Sequence, residues 1–545
     1  MNIALAQLNF HIGNFEYNFS KISEHIIKAE LEGADLIVFP ELSVCGYPPR
    51  DFLEFEDFID KCDEVLEKIK PLTQSIGVIV GCPTRNPVVE GKDLFNSAVL
   101  IHKGKIVFKA NKALLPTYDI FDEYRYFEPE TSFNTVNFKG KELALTICED
   151  IWNVGNENPM YKSCPMDELI KQHPDYIINI SASPFDYNQI EKRLNVIRAN
   201  NKRYSIPVIY TNHVGAQTDL IFDGGSIVTD AYGTIKAQLP YFEESMQIID
   251  MDNLSKIHPQ EIKDISKIRL IHDALVCGVR DYFAKLGFTK AILGLSGGID
   301  SAVTAGIAAL ALGPKNVKCL LMPSRYSSSH SVTDSEDLCK RYGIPYDVIN
   351  IDPMYRVFTE ELQPYFSGKS FDVTEENIQS RARGVTLMAM CNKLGYILLN
   401  TTNKSEAAVG YGTLYGDLCG GLSVIADLYK TEVYELARYM NRNGEMIPTN
   451  IIDKEPSAEL RPDQKDSDSL PPYQILDSLL YQYIECRKSP DDLIDMGFDA
   501  LLVQRVLKMV NRNEWKRFQM APVLRVSSKS FGMGRRMPIE GEYLS

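Results

Sequence analysis

The stretch that most constrains the fold of this chain is an apolar segment followed by a glycine turn and a helix-like run. Residues 291–295 read Ala-Ile-Leu-Gly-Leu, which is typical of a buried parallel strand. A Ser-Gly-Gly turn follows at 296–298, and residues 299–312 predict a helix that ends at a Gly-Pro pair. Because such a turn and helix start leave free backbone N–H groups, the segment predicts a site for a phosphate-like anion.

The turn differs from the common P-loop, since no Gly-Lys-Ser/Thr follows. It reads Ser-Gly-Gly-Ile-Asp-Ser and resembles the loop of the ATP pyrophosphatase (PP-loop) family, which holds the pyrophosphate released when ATP adenylates a substrate. The resemblance gives Asp300 a role as a Mg²⁺ ligand, whereas an ordinary glycine turn would need neither this carboxylate nor the flanking serines. The implied ATP contacts are Gly294, Leu295, Ser296, Gly297, Gly298, Ile299, Asp300 and Ser301.

Length and composition limit the class of protein. The 545 residues are too many for one core and predict two large domains. A net charge of −15 argues against a nucleic-acid partner. The eleven cysteines are scattered without metal-site or disulfide spacing, and neither a signal-peptide pattern nor a membrane-length apolar run is present. We therefore expect a cytoplasmic protein that acts on small molecules and binds no membrane.

The first half mixes predicted strands and helices, and three polar residues follow predicted strands. Glu41 lies in Phe-Pro-Glu-Leu, Lys112 lies in Asn-Lys-Ala-Leu-Leu-Pro, and Cys148 lies in Thr-Ile-Cys-Glu-Asp. Amide hydrolysis needs a nucleophile, a base and a cation near the developing oxyanion, and these three side chains supply them. Each residue alone also fits an ordinary interpretation, as a buried thiol or as surface charges.

Together, these motifs resemble the Glu-Lys-Cys triad of the nitrilase (carbon–nitrogen hydrolase) superfamily. The resemblance covers about residues 1–250 and implies an αββα sandwich with glutaminase activity. It makes Glu41 the base, Cys148 the nucleophile that forms a thioester, and Lys112 the group that stabilises the oxyanion.

Within the glutaminase branch, the resemblance implies that Tyr118 and Ser183 contact glutamine. The family pattern places a basic residue about six positions after the serine. Here that position is Gln189, with Lys192 and Arg193 just beyond. We therefore expect Gln189 at the glutamine site, and the sequence leaves open whether it replaces the usual cation.

The second half has the pattern of a different domain. Residues 251–269 are polar and predict a linker, and residues 270–545 alternate apolar strands with amphipathic helices. This alternation is typical of a doubly wound parallel sheet, which the PP-loop resemblance identifies as adenine nucleotide alpha hydrolase-like.

Three later stretches resemble the NAD⁺ synthetase branch of the PP-loop enzymes: Asn-Ile-Gln-Ser-Arg-Ala-Arg-Gly from 377, Thr-Thr-Asn-Lys-Ser-Glu from 401, and Pro-Ser-Ala-Glu-Leu-Arg-Pro from 456. The resemblance implies ATP contacts by Thr401 and Lys430, with Asp300 and Glu406 as Mg²⁺ ligands. It implies deamido-NAD⁺ contacts by Asn377, Arg381, Glu406 and Lys516. Without the motifs, Lys430 and Lys516 would be interpreted as solvated surface charges. Residues 453–472 are rich in charge and proline, which predicts either disorder or a mobile loop near ATP.

The two resemblances together imply one reaction. ATP and Mg²⁺ would serve to adenylate deamido-NAD⁺, and ammonia released from glutamine in the first domain would reach the adenylate inside the protein. The family also implies a homo-oligomer formed through the synthetase domains. A different PP-loop amidotransferase is the main alternative, but residue 2 is Asn rather than an N-terminal nucleophilic Cys, and no Cys-His-Glu glutaminase pattern is present. An inactive binding protein is the other alternative, although it would not need Glu41, Lys112, Cys148 and Asp300 together.

Overall fold

In the computed structural model, the chain divides into two compact units. Unit 1 is Met1–Asp264 and unit 2 is Ile265–Ser545. The structure describes residues 1–154, 160–261, 265–366, 368–462 and 464–544. Three residues of the expected linker, 262–264, and residue 463 of the segment 453–472 lie outside the described residues. Within the described part of the chain, no helix has the length and apolar character needed to cross a membrane.

Unit 1 is built mainly from strands. Its strands are β1 (Asn2–Gln7), β2 (Leu36–Val38), β3 (Gly77–Arg85), β4 (Leu94–His102), β5 (Lys105–Asn111), β6 (Val136–Phe138), β7 (Lys141–Ile147), β8 (Tyr176–Ser181), β9 (Val208–Asn212), β10 (Val214–Gln217), β11 (Leu220–Asp223), β12 (Ile227–Thr229), β13 (Ile235–Gln238) and β14 (Ser245–Asp250). Its helices are α1 (Phe15–Leu31), α2 (Glu56–Ile69), α3 (Pro165–Leu169) and α4 (Gln189–Tyr204).

Two six-stranded sheets form the centre of unit 1. Their strand orders are β14-β1-β2-β3-β4-β5 and β13-β12-β9-β8-β7-β6. Apolar side chains of both sheets share one buried cluster, which includes Leu5, Val38, Leu145 and Ile178. Helices α1 and α2 pack on the outer face of the first sheet, and α3 and α4 pack on the outer face of the second. The αββα sandwich implied by the sequence resemblance is therefore confirmed.

Unit 2 combines a small sheet with many helices. Its strands are β15 (Ala291–Gly294), β16 (Val317–Leu321), β17 (Tyr346–Val348), β18 (Ile397–Asn400) and β19 (Leu422–Ser423). Its helices are α5 (Lys267–Leu286), α6 (Ile299–Leu312), α7 (Ser329–Tyr342), α8 (Asp352–Leu362), α9 (Val373–Leu394), α10 (Lys404–Val409), α11 (Lys430–Met440), α12 (Thr449–Asp453), α13 (Tyr473–Ile484), α14 (Pro490–Asp495), α15 (Ala500–Arg512) and α16 (Glu514–Arg517).

The sheet of unit 2 is parallel, with the strand order β17-β16-β15-β18-β19. Leu387 and Cys391 of α9 pack against alternate residues of the central strands, including Ile292. Neighbouring residues of a strand point to opposite faces of the sheet, so the remaining strand residues point away from α9. Helix α6 contacts β15 and β16 and packs on that second face. The predicted doubly wound sheet is thus confirmed. After β15 the chain adds β16 and β17 on one side of this strand and later adds β18 and β19 on the other side. A ligand crevice is therefore expected at the carboxyl end of β15, where the order of the strands changes direction.

Candidate active sites

The three triad residues predicted in unit 1 each follow a strand and are buried. Glu41 and Lys112 are fully buried, and Cys148 is 4% exposed. Lys112 comes directly after β5 and Cys148 directly after β7. Lys112 Nζ donates to Glu41 Oε1 over 2.8 Å. Burial raises the pKa of the Cys148 thiol well above its ordinary value; Glu41 raises it further and Lys112 opposes the shift. The thiol is therefore protonated at neutral pH and needs a base.

The Glu41 carboxylate is held in one position by several donors. Asn96 Nδ2 donates to Oε1 over 2.7 Å, and the backbone N–H of Ala182 donates to Oε2 over 2.9 Å. The ring nitrogen Nε2 of His213 lies 2.6 Å from the carbonyl oxygen of Glu41. The two donors orient the carboxylate and the His213 contact holds the backbone that carries it, an arrangement that suits a general base.

Sequence reasoning missed a fourth member of this cluster, Glu123. It lies in the short turn Glu123–Arg125, is 5% exposed, and accepts hydrogen bonds from Lys112 Nζ at 2.8 and 2.7 Å. Tyr47 donates to it as well, over 2.8 Å. Burial raises the pKa of Glu123 to about 7, against the opposing effect of Lys112. Nothing in the local sequence marks this turn as buried, because its neighbours are charged and aromatic.

Asp150 fixes the backbone that carries two triad residues. Its carboxylate accepts the backbone N–H groups of Ala113 and Leu114 over 3.0 and 2.9 Å, and that of Ile147 over 3.0 Å. It therefore joins the segment after Lys112 to the turn that contains Cys148. Burial raises the pKa of Asp150 to about 6, although these donors lower it. Cys148 itself has a φ of 44°, in the left-handed region.

The predicted glutamine contacts lie in two groups. Tyr118 donates to Glu149 over 2.9 Å, and Tyr161 donates to the same carboxylate over 3.2 Å. Glu149 is 6% exposed and directly follows Cys148. Burial raises the pKa of Glu149, while Lys112 and both hydroxyl donors lower it. Sequence reasoning quoted this glutamate within its motif but gave it no role.

The second group surrounds Ser183. Gln189 Nε2 and Arg193 Nη2 approach the Ser183 hydroxyl at 3.4 and 3.5 Å. Arg193 lies one turn after Gln189 on α4, and its guanidinium pairs with Asp223 over 2.9 and 3.1 Å. Lys192 instead pairs with Asp186 over 3.5 Å. The structure thus places Gln189 beside Ser183, with Arg193 as the nearby cation.

In unit 2 the loop after β15 has the geometry expected of an anion site. Gly297 has a φ of +79°, and a Cβ on it would lie 2.6 Å from the carbonyl oxygen of Ser331. The Ser296 hydroxyl accepts the backbone N–H of Gly298 over 3.2 Å, and the Ser301 hydroxyl donates to Gly298 O over 3.0 Å. The loop then enters the fourteen-residue helix α6, so its N–H groups and the helix start face the same side.

A cavity of about 270 Å³ lies at this loop. Apart from Gly297, every residue expected to contact ATP lines it, and Glu406 lines it too. Residues 454–460 and Asp466 also line it, so this part of the segment 453–472 lies at the cavity. Asp466 accepts hydrogen bonds from Tyr411 and Tyr473 over 3.2 and 2.8 Å, a contact that the sequence did not indicate.

Asp300, Glu406 and Lys430 form one charged cluster in the cavity. Lys430 Nζ lies 2.5 Å from Asp300 Oδ2 and 3.7 Å from Glu406 Oε1. Asn403 Nδ2 donates to Asp300 Oδ1 over 3.0 Å. Burial raises the pKa of Glu406 to about 8, and Asp300 adds to the shift. Lys430 is 3% exposed, so it is not a surface charge.

These residues fit the expected Mg²⁺. No group of three or more metal-ligating side chains occurs among the described residues. However, Mg²⁺ at nucleotide sites takes only one or two carboxylates and completes its octahedron with phosphates and water. Asp300 and Glu406 share Lys430 as a common partner in this cavity and supply such a pair.

The residues expected to contact deamido-NAD⁺ gather around one loop, residues 410–417. Asn377 accepts a hydrogen bond from Thr413 over 2.7 Å, and Arg381 Nε donates to Leu414 O over 3.3 Å. Lys516 donates to the carbonyl oxygens of Gly410 and Gly412. Asn377, Arg381 and Lys516 do not line the cavity at the loop after β15, but Tyr411, Gly416 and Asp417 of the loop 410–417 do.

Comparison with known proteins gives the same division of the chain. A family model for carbon–nitrogen hydrolase matches residues 2–256, and a family model for NAD synthase matches residues 271–520. The glutamine-dependent NAD(+) synthetase of Synechocystis sp. is 44% identical over 98% of both chains, and that of Acinetobacter baylyi is 41% identical over 98% of both.

Solved structures agree. The glutamine-dependent NAD⁺ synthetase of Acinetobacter baumannii, solved with adenosine diphosphate, is 36% identical, with a TM-score of 0.78 and coverage of 99% of this chain and 98% of that chain. The Cytophaga hutchinsonii structure has a TM-score of 0.84 at 20% identity over 99% and 98% of the two chains, and shows the fold. The relatives match this chain over nearly its whole length, and the chain belongs to the glutamine-dependent NAD⁺ synthetases.

Proposed function

We propose that unit 1 hydrolyses glutamine and that unit 2 uses the ammonia to convert deamido-NAD⁺ and ATP into NAD⁺, AMP and pyrophosphate. The observation that carries this proposal is the presence of two chemically distinct sites in one chain. A buried cluster of Glu41, Lys112 and Cys148 suits amide hydrolysis, and a cavity at the PP-loop suits nucleotide chemistry.

In unit 1, Glu41 takes the proton of the Cys148 thiol as sulfur attacks the amide carbon of glutamine. The Lys112 ammonium stabilises the tetrahedral oxyanion. When the C–N bond breaks, Glu41 returns the proton to the leaving ammonia, and a thioester remains. Glu41 then removes a proton from water, whose oxygen attacks the thioester, so that glutamate leaves and the thiol is restored. Glu123 keeps Lys112 charged through two hydrogen bonds.

Glutamine is a zwitterion, and the two groups beside Cys148 match its ends. The Glu149 carboxylate, positioned by Tyr118 and Tyr161, is suited to the α-ammonium group. Ser183 and Gln189 are suited to the α-carboxylate, with Arg193 as the nearest cation.

In unit 2, a carboxylate oxygen of the nicotinate group attacks the α-phosphorus of ATP, and pyrophosphate leaves into the loop 296–301. The loop N–H groups and Lys430 bind the released charge. Mg²⁺ held by Asp300 and Glu406 would supply further neutralisation of the phosphates. Asn377, Arg381 and Lys516 hold the dinucleotide around the loop 410–417. Ammonia then attacks the adenylated carbon, the bond between this carbon and the AMP oxygen breaks, and the nitrogen releases one proton as the carboxamide forms.

The ammonia moves between the units without release to solvent. The physical reason is that ammonia in water at neutral pH is mostly protonated and therefore not nucleophilic. The protein works in the cytoplasm, a reducing compartment, and its eleven free cysteines support this location.

The protein assembles as a homo-oligomer through unit 2. Helices α8 and α9 and the segment between them carry large apolar side chains that are 41–83% exposed. A second copy of the same region would cover these exposed apolar side chains. The residues are Val357, Phe358, Tyr365, Phe371, Val373, Val385, Met388 and Leu394.

Two variants test the assignment of the sites. NAD⁺ formation is measured from deamido-NAD⁺, ATP and Mg²⁺ with either glutamine or ammonium. Cys148→Ala should lose glutamine use and keep ammonium use, whereas Asp300→Ala should lose both. Cys486→Ala, which removes an exposed thiol, is the matched control and should retain both. Glutamine-dependent synthesis by Cys148→Ala would refute the role of unit 1.

A further inference from the structure

Three basic side chains line the cavity of unit 2 among the described residues: Arg383, Lys430 and Lys454. Two of them already have a carboxylate partner. Lys430 pairs with Asp300, and Lys454 pairs with Glu459 over 2.7 Å. Arg383 has no carboxylate oxygen within 4.0 Å among the described residues, so it differs from both lysines.

Arg383 makes a single hydrogen bond with the described part of the chain. Its Nε donates to the carbonyl oxygen of Met322, just after β16, over 3.2 Å. Neither terminal guanidinium nitrogen has a partner there. The two terminal nitrogens, which could donate to two oxygens of one anion, are therefore free of partners among the described residues at the cavity wall.

The position of Arg383 on α9 places it between two parts of the expected ligand site. Three residues earlier, Ser380 Oγ donates to Asp417 of the loop 410–417 over 3.1 Å. Four residues later, Leu387 lies 3.4 Å from the place of a Cβ on Gly294, at the end of β15. Side chains at i−3 and i+4 share one face of a helix with residue i, so Arg383 lies on the face directed at both parts.

An unpaired cation in this environment is costly. Burial lowers the pKa of Arg383, and Asp417, Glu459 and Asp352 offset this only in part. Removal of a guanidinium from water costs free energy unless an anion or enough acceptors replace the water. A single backbone acceptor does not replace it, whereas a phosphate, with several oxygens, matches the planar fork in charge and geometry.

We propose that Arg383 binds phosphate oxygens of a nucleotide in this cavity. This inference rests on the proposed function of unit 2, because it assigns a further contact to the same site. Two sources offer the same chemistry: the phosphates of ATP and the diphosphate of the dinucleotide substrate. The residue acts in binding, so its loss weakens nucleotide affinity whichever nitrogen source is used.

The test compares Arg383→Gln and Arg383→Lys with the wild-type protein. Isothermal titration calorimetry with ATP, with pyrophosphate and with deamido-NAD⁺, each titrated alone, identifies the source of the phosphate. Arg383→Gln should weaken at least one of them by roughly 10- to 100-fold, the usual effect of a lost charged hydrogen bond. Arg383→Lys, which keeps the charge and loses the fork, should lie between. Arg356→Gln, a change to an exposed arginine paired with Glu360, is the matched control.

Thermal unfolding without ligand separates binding from a structural role. If Arg383 serves a ligand, Arg383→Gln should unfold no earlier than the wild type, because it removes an uncompensated charge. Wild-type affinity of Arg383→Gln for all three ligands would overturn the inference, and so would earlier unfolding with unchanged affinity. Failure of the wild-type protein to bind ATP would instead refute the proposed function of unit 2 and the inference together.

Discussion

Asp150 offers a sharp test of how unit 1 holds its triad. It is 3% exposed and accepts three backbone N–H groups, from Ala113, Leu114 and Ile147. Asp150→Ala would leave three buried donors unpaired at about 1–3 kcal/mol each. Because one local shift can relieve more than one of them, and single substitutions rarely exceed about 5 kcal/mol, we expect a loss of about 3–5 kcal/mol.

This loss converts into a measurable change in melting temperature. For a domain of this size, 1 kcal/mol corresponds to about 2–4 °C, so the unfolding transition of unit 1 should fall by about 6–20 °C. Asp150→Asn keeps one carbonyl oxygen, which can still accept from Ala113 and Leu114, and turns an N–H donor toward Ile147. Its cost should be about 1–3 kcal/mol, or about 2–12 °C.

Activity supplies the second measurement for the same variants. Asp150 joins the backbone after Lys112 to the turn that carries Cys148, so Asp150→Ala should reduce glutamine-dependent NAD⁺ formation strongly. Ammonium-dependent formation depends on unit 2 and should remain near the wild-type rate below the melting transition. Unchanged melting of Asp150→Ala, or an equal loss of both activities, would refute this account of the triad.

Three further predictions concern single residues. Glu149→Gln keeps the hydrogen bonds from the two tyrosines but loses the negative charge. The KM for glutamine should therefore rise roughly 10- to 100-fold, while the use of ammonium stays unchanged. An unaltered KM would exclude the contact between Glu149 and the α-ammonium group. Burial raises the pKa of Cys148 well above its ordinary value. The rate of its alkylation by iodoacetamide, measured by peptide mass spectrometry, should therefore increase steadily from pH 7 to pH 9. A rate that becomes constant near neutral pH would contradict the raised pKa. Gly297→Ala should abolish NAD⁺ formation from either nitrogen source and spare glutamine hydrolysis, because its Cβ would lie 2.6 Å from Ser331 O. Gly287→Ala is the control, since Gly287 has a similar φ of +75° and no atom lies within 4 Å of the added Cβ. Equal activity of the two variants would show that the contact between the added Cβ of residue 297 and Ser331 O does not matter.

The sequence was most informative where one local pattern implies one geometry. The run 299–312 was predicted as a helix and is α6 with the same bounds, because a glycine turn and a Gly-Pro pair mark both ends. The Lys-Gly pair at 103–104 lies between two apolar runs, a pattern typical of a hairpin, and it joins the antiparallel strands β4 and β5. The motif residues Glu41, Lys112 and Cys148 each follow a strand of the sandwich, and Lys112 and Glu41 are in direct contact.

The missed residues depend on contacts that are distant in sequence. The sequence around Glu123 is typical of a surface charge, whereas in the folded protein Glu123 accepts a hydrogen bond from Lys112. Arg383 belongs to a motif that was noticed, but its lack of a carboxylate partner is a property of the folded cavity. The residues 454–460 were expected to be either disordered or a loop near ATP. Their place at the cavity rests on Lys454 and Glu459, which bond to the Ser331 hydroxyl across more than 120 positions.

In the proposed reaction, the nitrogen released at Cys148 becomes the carboxamide nitrogen of NAD⁺. The most direct measurement uses glutamine labelled with ¹⁵N in its amide, together with ATP, Mg²⁺, deamido-NAD⁺ and an excess of unlabelled ammonium. Mass spectrometry should find a ¹⁵N fraction in NAD⁺ made by the wild-type protein that is well above the ¹⁵N fraction of the free ammonium, and only unlabelled nitrogen in NAD⁺ made by Cys148→Ala. An equal ¹⁵N fraction in wild-type NAD⁺ and in the free ammonium would contradict the transfer of ammonia within the protein, and labelled NAD⁺ from Cys148→Ala would contradict the role of this cysteine.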